Sequence, residues 1–373
     1  MKPRDRLQQI EQTRRALLTS DVPPDQLLHA AWNDRAWLLR SWQRCLAQGQ
    51  RPEQPVSFDA VPAAARQRAD EAHRSLLAAA RPEMQRLARA VAPIRYFAIL
   101  TDAAGAVIDT AGAIDRRDRR AEAIARVGVD LSERSIGTSA IGAALGEQQP
   151  VWLHRGEHFF RDTSVYSCAG APLTGPKGQC LGMLDLTGIE APERPELQHL
   201  VARSARAIED ALLHATPHAL RLHLAWGEAL PGETAHAVLC LDAGGAVLGA
   251  NSAARQMLPA LAGLAHGGVH AGDLFALPWQ HLFDLAGRDA PSLVPLWSGL
   301  RIAVQAVRPG APAASPAPAT PRLPLKALEE RLIQQAVRDA SGNVAEAARA
   351  LGLSRATLYR RLAATRGASV ARR

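Results

Sequence analysis

Apolar positions along the first eighty residues recur at helical spacing, Leu7, Ile10, Leu17 and Leu18, then Trp37, Leu38 and Trp42, and predict a helical N-terminal region over residues 1–80. From Ile94 the period becomes that of a strand. Tyr96–Thr101 and Ala106–Thr110 flank Asp102-Ala-Ala-Gly105, which reads as strand, tight turn, strand. Strand-like runs follow at Pro150–Leu153 and Leu181–Leu186, and an apolar-periodic helix from Pro195 to Leu213 closes an α+β unit over 81–215. A second hairpin repeats the first almost letter for letter: Ala237–Leu241, Asp242-Ala-Gly-Gly245, Ala246–Ala250. Its aspartate stands 140 residues after Asp102. Two copies are too few for a solenoid, so the pattern predicts two α/β domains of related architecture in tandem, the second over 220–308.

Residues 309–324 carry prolines at close intervals, which remove backbone donors and fix φ, so the segment reads as a semi-extended linker. Beyond it the helical period returns. Leu325–Ala340 is amphipathic, Ser341-Gly-Asn343 breaks it and caps Val344–Leu351, and Gly352-Leu-Ser354 turns into a third helix, Arg355 to about Ala364. On that helix Leu358 and Leu362 share one side, Arg360 and Ala356 the other, with Thr357 and Tyr359 between them. Two short helices joined by a glycine turn, the second presenting Arg and Thr, is helix-turn-helix chemistry over 325–367, and a small structural three-helix cap is the plainer alternative. The predicted fold class is α+β multidomain: a helical N-terminal region, two α/β domains and an all-α C-terminal domain.

Composition changes this picture little. The chain has 373 residues, too long for one core, and its 47% hydrophobic content is that of a globular protein, although aromatics are only 4%. Cys45, Cys168, Cys180 and Cys240 form no CxxC pair and read as buried reduced thiols. The start, Met1-Lys-Pro-Arg-Asp-Arg6, has no apolar core of a leader, and no apolar run reaches membrane-spanning length, so a cytoplasmic protein is expected.

Charge matters more. Of a net +8, an excess of six lies from Pro324 onward, ten Lys or Arg against four Asp or Glu. A basic tail alone is as readily a solvated surface as a nucleic-acid interface, but joined to the helix spacing and the turn it points to double-stranded DNA, which arginine grips at phosphates or at guanine edges.

The stretch Gly342–Leu362 closely resembles the Fis-type helix-turn-helix of bacterial regulators. The resemblance implies that Ser354, Arg355, Thr357, Arg360 and Arg361 contact DNA and that the first helix forms a homodimer. Upstream, Ser41-Trp-Gln-Arg-Cys45, Gly137-Thr-Ser-Ala-Ile-Gly142, Gly156-Glu-His-Phe159, Cys168-Ala-Gly-Ala-Pro172 and Leu184-Asp-Leu-Thr-Gly188 resemble the acetoin-catabolism regulator (AcoR) family. That implies a GAF-like sensor holding a small molecule between its sheet and the covering helices or loops. Small residues and clustered polar groups mark Gly137, Thr138, Ser139, His154, His158 and Cys168 as ligand-binding candidates. Where relatives usually read G-T-N-A-I-G, this chain has Ser139. Asn251-Ser-Ala-Ala-Arg255 and Gly272-Asp-Leu-Phe275 resemble a PAS-like domain.

His154-Arg-Gly-Glu-His158 fits H-x-x-E-H, a zinc-hydrolase pattern that needs both histidines on one helical face. Pro150, a strand-like run and Gly156 argue for a loop instead. The run Asp115–Arg120 reads as a solvated face. AcoR-like activators carry an ATPase, yet no G-x-x-x-x-G-K-[ST] loop and no G-A-F-T-G-A-like segment occurs in this sequence. The reading is therefore a non-enzymatic, cofactor-free DNA-binding regulator under a small-molecule effector, with no membrane partner and with contact to RNA polymerase left open. A non-sensing architectural DNA-binding protein is the alternative.

Overall fold

The computed structural model describes residues 8, 10–14, 35–58, 71, 73–226, 237–288, 290–309 and 344. The chain divides into two units, Met1–Pro309 and Gly310–Arg373, and all described residues but 344 and none of the predicted C-terminal helices in full belong to the first.

The first sheet is antiparallel, with order β2-β1-β5-β4-β3, built from β1 (Tyr96–Asp102), β2 (Val107–Ala111), β3 (Val151–His154), β4 (Tyr166–Thr174) and β5 (Cys180–Ile189). Strand alternation sorts its side chains onto two faces. Leu184 and Leu186 of β5 join Ala98 and Leu100 of β1 in a core shared with α2 (Arg74–Val91) and α6 (Leu197–Ala215). Burying Leu197, Val201, Ile208 and Leu212 along one stripe of α6 contributes about 1.5–3 kcal/mol per side chain. On the opposite face Phe97, Ile99 and Met183 meet α1 (Ala36–Ala47), α3 (Arg119–Ile124), α4 (Glu133–Ile136) and α5 (Ala140–Glu147).

Two details differ from the sequence pattern. Helix α2 runs straight through the division placed at residue 80 and packs on the sheet, and Arg51–Phe58, expected within a helical region, forms turns and extended chain.

The second sheet has order β8-β7-β6-β10-β9, from β6 (Leu220–Trp226), β7 (Ala237–Leu241), β8 (Val247–Ala250), β9 (Ser292–Pro295) and β10 (Arg301–Val307). Its inner face packs on α7 (Ser252–Met257), α8 (Ala271–Leu274) and α9 (Gln280–Asp284). When its hairpin β7–β8 is laid on β1–β2, the place of β5 beside the hairpin is taken by β6, which precedes the hairpin in the chain.

The repeated D-A-(A/G)-G motif builds the same turn twice. Asp102 Oδ1 accepts from the Ala104 and Ala106 amides at 2.9 Å each, and Asp242 Oδ1 from Gly244 and Ala246 at 2.8 Å each. Gly105 and Gly245 stand at φ 90° and 87°, the left-handed region that an L side chain rarely adopts. Each turn then hands one more backbone bond to the segment entering a short helix: Leu131 N to Gly105 O, 3.0 Å, and Ala271 N to Gly245 O, 2.9 Å.

Candidate functional site

Between the first sheet and its covering helices lies a cavity of about 20 Å³, room for one or two water-sized groups. The sheet supplies Ile99, Tyr166, Cys168, Asp185 and Thr187, and Ile124, Leu131, Ile136, Ser139, Ala140, Ile141, His158 and Thr163 come from the covering elements. Such a lining is apolar with a few convergent polar groups, the usual make-up of a small-molecule site, although the volume is far below the few hundred Å³ of an open one.

The polar groups follow from strand register. Met183, Asp185 and Thr187 alternate onto the cavity face of the central strand β5, where Asp185 sits opposite Ile99 on one side and Gly170 on the other. Fully buried, the Asp185 carboxyl is pushed up to about 7 by loss of water, a rise moderated by the hydrogen bond that Thr187 Oγ1 donates to Oδ2. Cys168 Sγ lies 3.3 Å from Thr187 Oγ1, and burial, with Asp185 nearby, drives its thiol well up, so it stays protonated. Asp185 Oδ1 has no partner.

His158 enters from the opposite side. Its Nδ1 is 2.9 Å from the Arg155 carbonyl oxygen, its Nε2 is unpaired, and burial depresses the ring to about 4, which holds it neutral at physiological pH.

Three of the six ligand candidates read from the sequence, Ser139, His158 and Cys168, line this cavity. Ser139 also caps α5, accepting from Gly142 N at 3.1 Å, a task that Asn performs equally well, so the departure from the relatives' pattern preserves the helix start. The other three face elsewhere. Gly137 ends α4 at φ 65°, where a Cβ would come within 2.9 Å of the Phe160 ring. The Thr138 hydroxyl turns to α1, 2.7 Å from Ser41 Oγ and 3.5 Å from Cys45 Sγ. His154 Nδ1 is 2.6 Å from Ser167 Oγ, and its residue starts a single 3-10 turn over Arg155–Glu157, so the two histidines of H-x-x-E-H do not share a helix. Among the described residues no group of His, Cys, Asp and Glu is arranged to hold a metal ion.

Sequence reasoning missed Asp185 and Thr187. The signal was present: an acid inside an otherwise apolar strand run, two positions before a threonine, on the strand that alternation aims inward.

The covering elements are themselves clamped. From α1, Arg44 grips Glu133 through Nε at 2.7 Å and Nη2 at 2.9 Å and reaches Glu147 at 2.8 Å, while Ser41 Oγ donates to Glu133 at 2.8 Å. Trp42 Nε1 donates to Glu157 O at 3.0 Å, Arg14 donates to Gly156 O and His158 O at 2.5 and 2.6 Å, and Arg35 pairs with the buried Glu157 carboxylate. Ser41-Trp-Gln-Arg-Cys45 is thus the strip of α1 that fixes the cavity's cover.

The predicted DNA contacts Ser354, Arg355, Thr357, Arg360 and Arg361 lie outside the described residues. Residues 324–364 match the family described as bacterial regulatory protein, Fis family, so a Fis-type helix-turn-helix stands at the C-terminus of a chain of the AcoR- and MimR-like regulator class. The chain belongs to the family described as MimR, N-terminal domain, which it matches over residues 22–210, just over half its length.

It is similar to the acetoin catabolism regulatory protein of Cupriavidus necator, 28% identical over 302 residues covering 78% of this chain and 43% of that one. It is similar also to the propane 2-monooxygenase operon transcriptional activator MimR of Mycolicibacterium smegmatis, 30% identical over 178 residues, 47% of this chain and 29% of that one. The chain therefore spans less than half the length of these curated relatives. Among solved structures, the E. coli DhaR(N)–DhaL complex aligns at TM-score 0.45 and 15% identity, covering 72% of this chain and 98% of that one. No described helix is long and apolar enough to cross a membrane.

Proposed function

We propose that this chain is a cytoplasmic, DNA-binding transcriptional regulator whose occupancy of DNA is set by a small molecule bound in the cavity of its first sheet domain, without ATPase activity of its own. The observation that carries the reading is the pairing of a Fis-type helix-turn-helix with a cavity lined by two buried side chains, Asp185 and His158, each of which holds an unpartnered polar atom. A buried polar atom without a partner costs about 1–3 kcal/mol, a cost that a ligand's hydrogen bond relieves. The domains over 81–215 and 220–308 act as GAF-like and PAS-like sensors, joined by the linker 309–324 to a homodimeric DNA-binding domain over 325–367. Ser354, Arg355, Thr357, Arg360 and Arg361 read and grip double-stranded DNA, since such modules gain specificity by pairing two half-sites. RNA polymerase contact belongs to the same proposal.

The test is a metabolite screen by thermal shift on the full chain, followed by DNA titration with and without each hit. A ligand bound only by the folded state raises stability by about 2.7 kcal/mol at 100 times its Kd. A hit that also shifts DNA affinity supports the reading. DNA affinity indifferent to every hit supports the architectural alternative.

A further inference from the structure

We propose that the cavity ligand is a small, uncharged molecule bearing at least two hydroxyl groups, one bonded to Asp185 and one to His158. This rests on the sensing role proposed above and assigns the chemistry of what is sensed.

The argument is one of elimination at the cavity wall. Every other polar side chain there is already engaged within the protein. Ser139 Oγ accepts from Gly142 N, Thr163 Oγ1 donates to Phe160 O at 3.0 Å, the Tyr166 hydroxyl donates to Arg120 O at 3.1 Å, and Thr187 lies between Cys168 and Asp185. Asp185 Oδ1 and His158 Nε2 remain, on residues 0% and 1% exposed.

Their chemistry selects the ligand. A carbonyl only accepts, so the Arg155 oxygen obliges His158 Nδ1 to hold the ring's single proton, and Nε2 is left as a bare acceptor on a residue that lines the cavity. Asp185 Oδ1 accepts when the carboxyl is ionised and donates when it is protonated. A hydroxyl both donates and accepts, and so pairs with Asp185 in either state and donates to His158. A carboxylate has no proton to give His158, and a carboxylate or a phosphate would bring negative charge against the Asp185 acid with no cationic side chain in the lining to balance it. An ammonium group pairs with Asp185 only in its ionised state. The aliphatic remainder of the lining suits a short carbon skeleton, and a volume of about 20 Å³ admits even the smallest diol only when the clamped cover moves outward, which favours the shortest skeletons.

The experiment is calorimetric titration of the full chain with propylene glycol and its longer diol homologues, beside lactate and isopropanolamine, which keep the skeleton and exchange one hydroxyl-bearing end for an anion or a cation. The expected result is saturable binding of at least one diol, with both charged analogues weaker by about tenfold or more. Asp185→Leu and His158→Phe, each first shown by circular dichroism to melt cooperatively, should each weaken the diol by about tenfold or more. Equal or tighter binding of lactate or isopropanolamine, a folded variant that retains full diol affinity, or no binding by any diol overturns the assignment. A charged hit from the metabolite screen that is lost when Ile136→Phe fills the cavity would overturn it while leaving the sensing role intact. If no saturable ligand is lost on filling the cavity, both fail.

Discussion

Ser252 Oγ donates a 2.6 Å hydrogen bond to Glu209 Oε2, joining the helix that follows the second hairpin to the helix that backs the first sheet. The other oxygen of the same carboxylate accepts from Thr174 N at 2.7 Å, at the end of β4. Next to it, Asn251 Nδ2 donates to Asp210 Oδ1 at 2.8 Å, and Ala250 N reaches Pro176 O, in the turn between β4 and β5, at 2.9 Å. The strands that carry Cys168 and Asp185 to the cavity thus end against the second sheet domain. Any shift of β4 or β5 acts directly on these contacts.

Glu209→Ala should therefore loosen the junction more than either sheet. The substitution leaves the Thr174 amide and the Ser252 hydroxyl without their acceptor, at a cost of about 1–3 kcal/mol. Hydrogen exchange is expected to rise in β8 and α7 and at the β4–β5 turn, with β1 still protected. Exchange rising equally throughout both sheets would show that Glu209 is merely part of a common core.

Asp185 carries a pH dependence whose sign is fixed by its burial. In the unfolded chain this carboxyl titrates near 3.8, but in the folded protein it is pushed up to about 7. Between those values the folded state holds a proton that the unfolded state has released, so stability falls as pH rises from about 4 to 7 and levels off above. His158 acts in the opposite sense. Its ring is pushed down to about 4 from 6.5, so the unfolded state alone gains a proton as pH drops through that window, and stability falls toward acid. The two effects offset one another in the wild type and separate in a variant. Asp185→Asn removes the first, so its melting temperature relative to wild type should climb from pH 4 to 7, by a few kcal/mol equivalent, and then stay level. A difference constant across that range would mean that Asp185 titrates as an exposed carboxyl does.

Both hairpins were legible in the sequence because each encodes its own turn: Asp102 and Asp242 bond two backbone amides within four residues, a local device that needs no distant partner. Helix α6 was legible from its apolar stripe. Strand β4 was not anticipated as a strand; its Pro172 pairs with Met183 of β5 beyond the end of the β3 ladder, which stops at Gly170, so it lies on a stretch of β4 with a neighbour on one side only. Strands β6, β9 and β10 were missed: β6 finds its partner β10 more than seventy residues further on, whereas β9 and β10 pair locally across Leu296–Leu300, a turn the sequence reading passed over. At the cavity, motif resemblance located Ser139, His158 and Cys168, whereas the directions of Thr138 and His154 depend on α1 and on Ser167, partners that no local pattern names.

The C-terminal helix-turn-helix yields the sharpest mutational contrast, because the spacing predicted for its third helix separates Arg360 from Leu358 and Leu362. Arg360→Ala replaces a residue on the predicted polar side, and such substitutions typically change stability by no more than about 0.5 kcal/mol. DNA affinity should nevertheless fall, by about 1–3 kcal/mol if the guanidinium contacts a base edge, or with a salt slope reduced by about one unit if it neutralises a phosphate. Leu358→Ala should behave in the opposite way. It removes a side chain from the predicted apolar side, so about 2–5 kcal/mol of domain stability is expected to go, with DNA binding lost as a consequence. Circular dichroism melting and DNA titration at several salt concentrations, run on both variants, separate the two effects. An Arg360→Ala protein that melts like wild type and binds DNA with unchanged affinity and salt slope would place the DNA-facing side of this helix elsewhere.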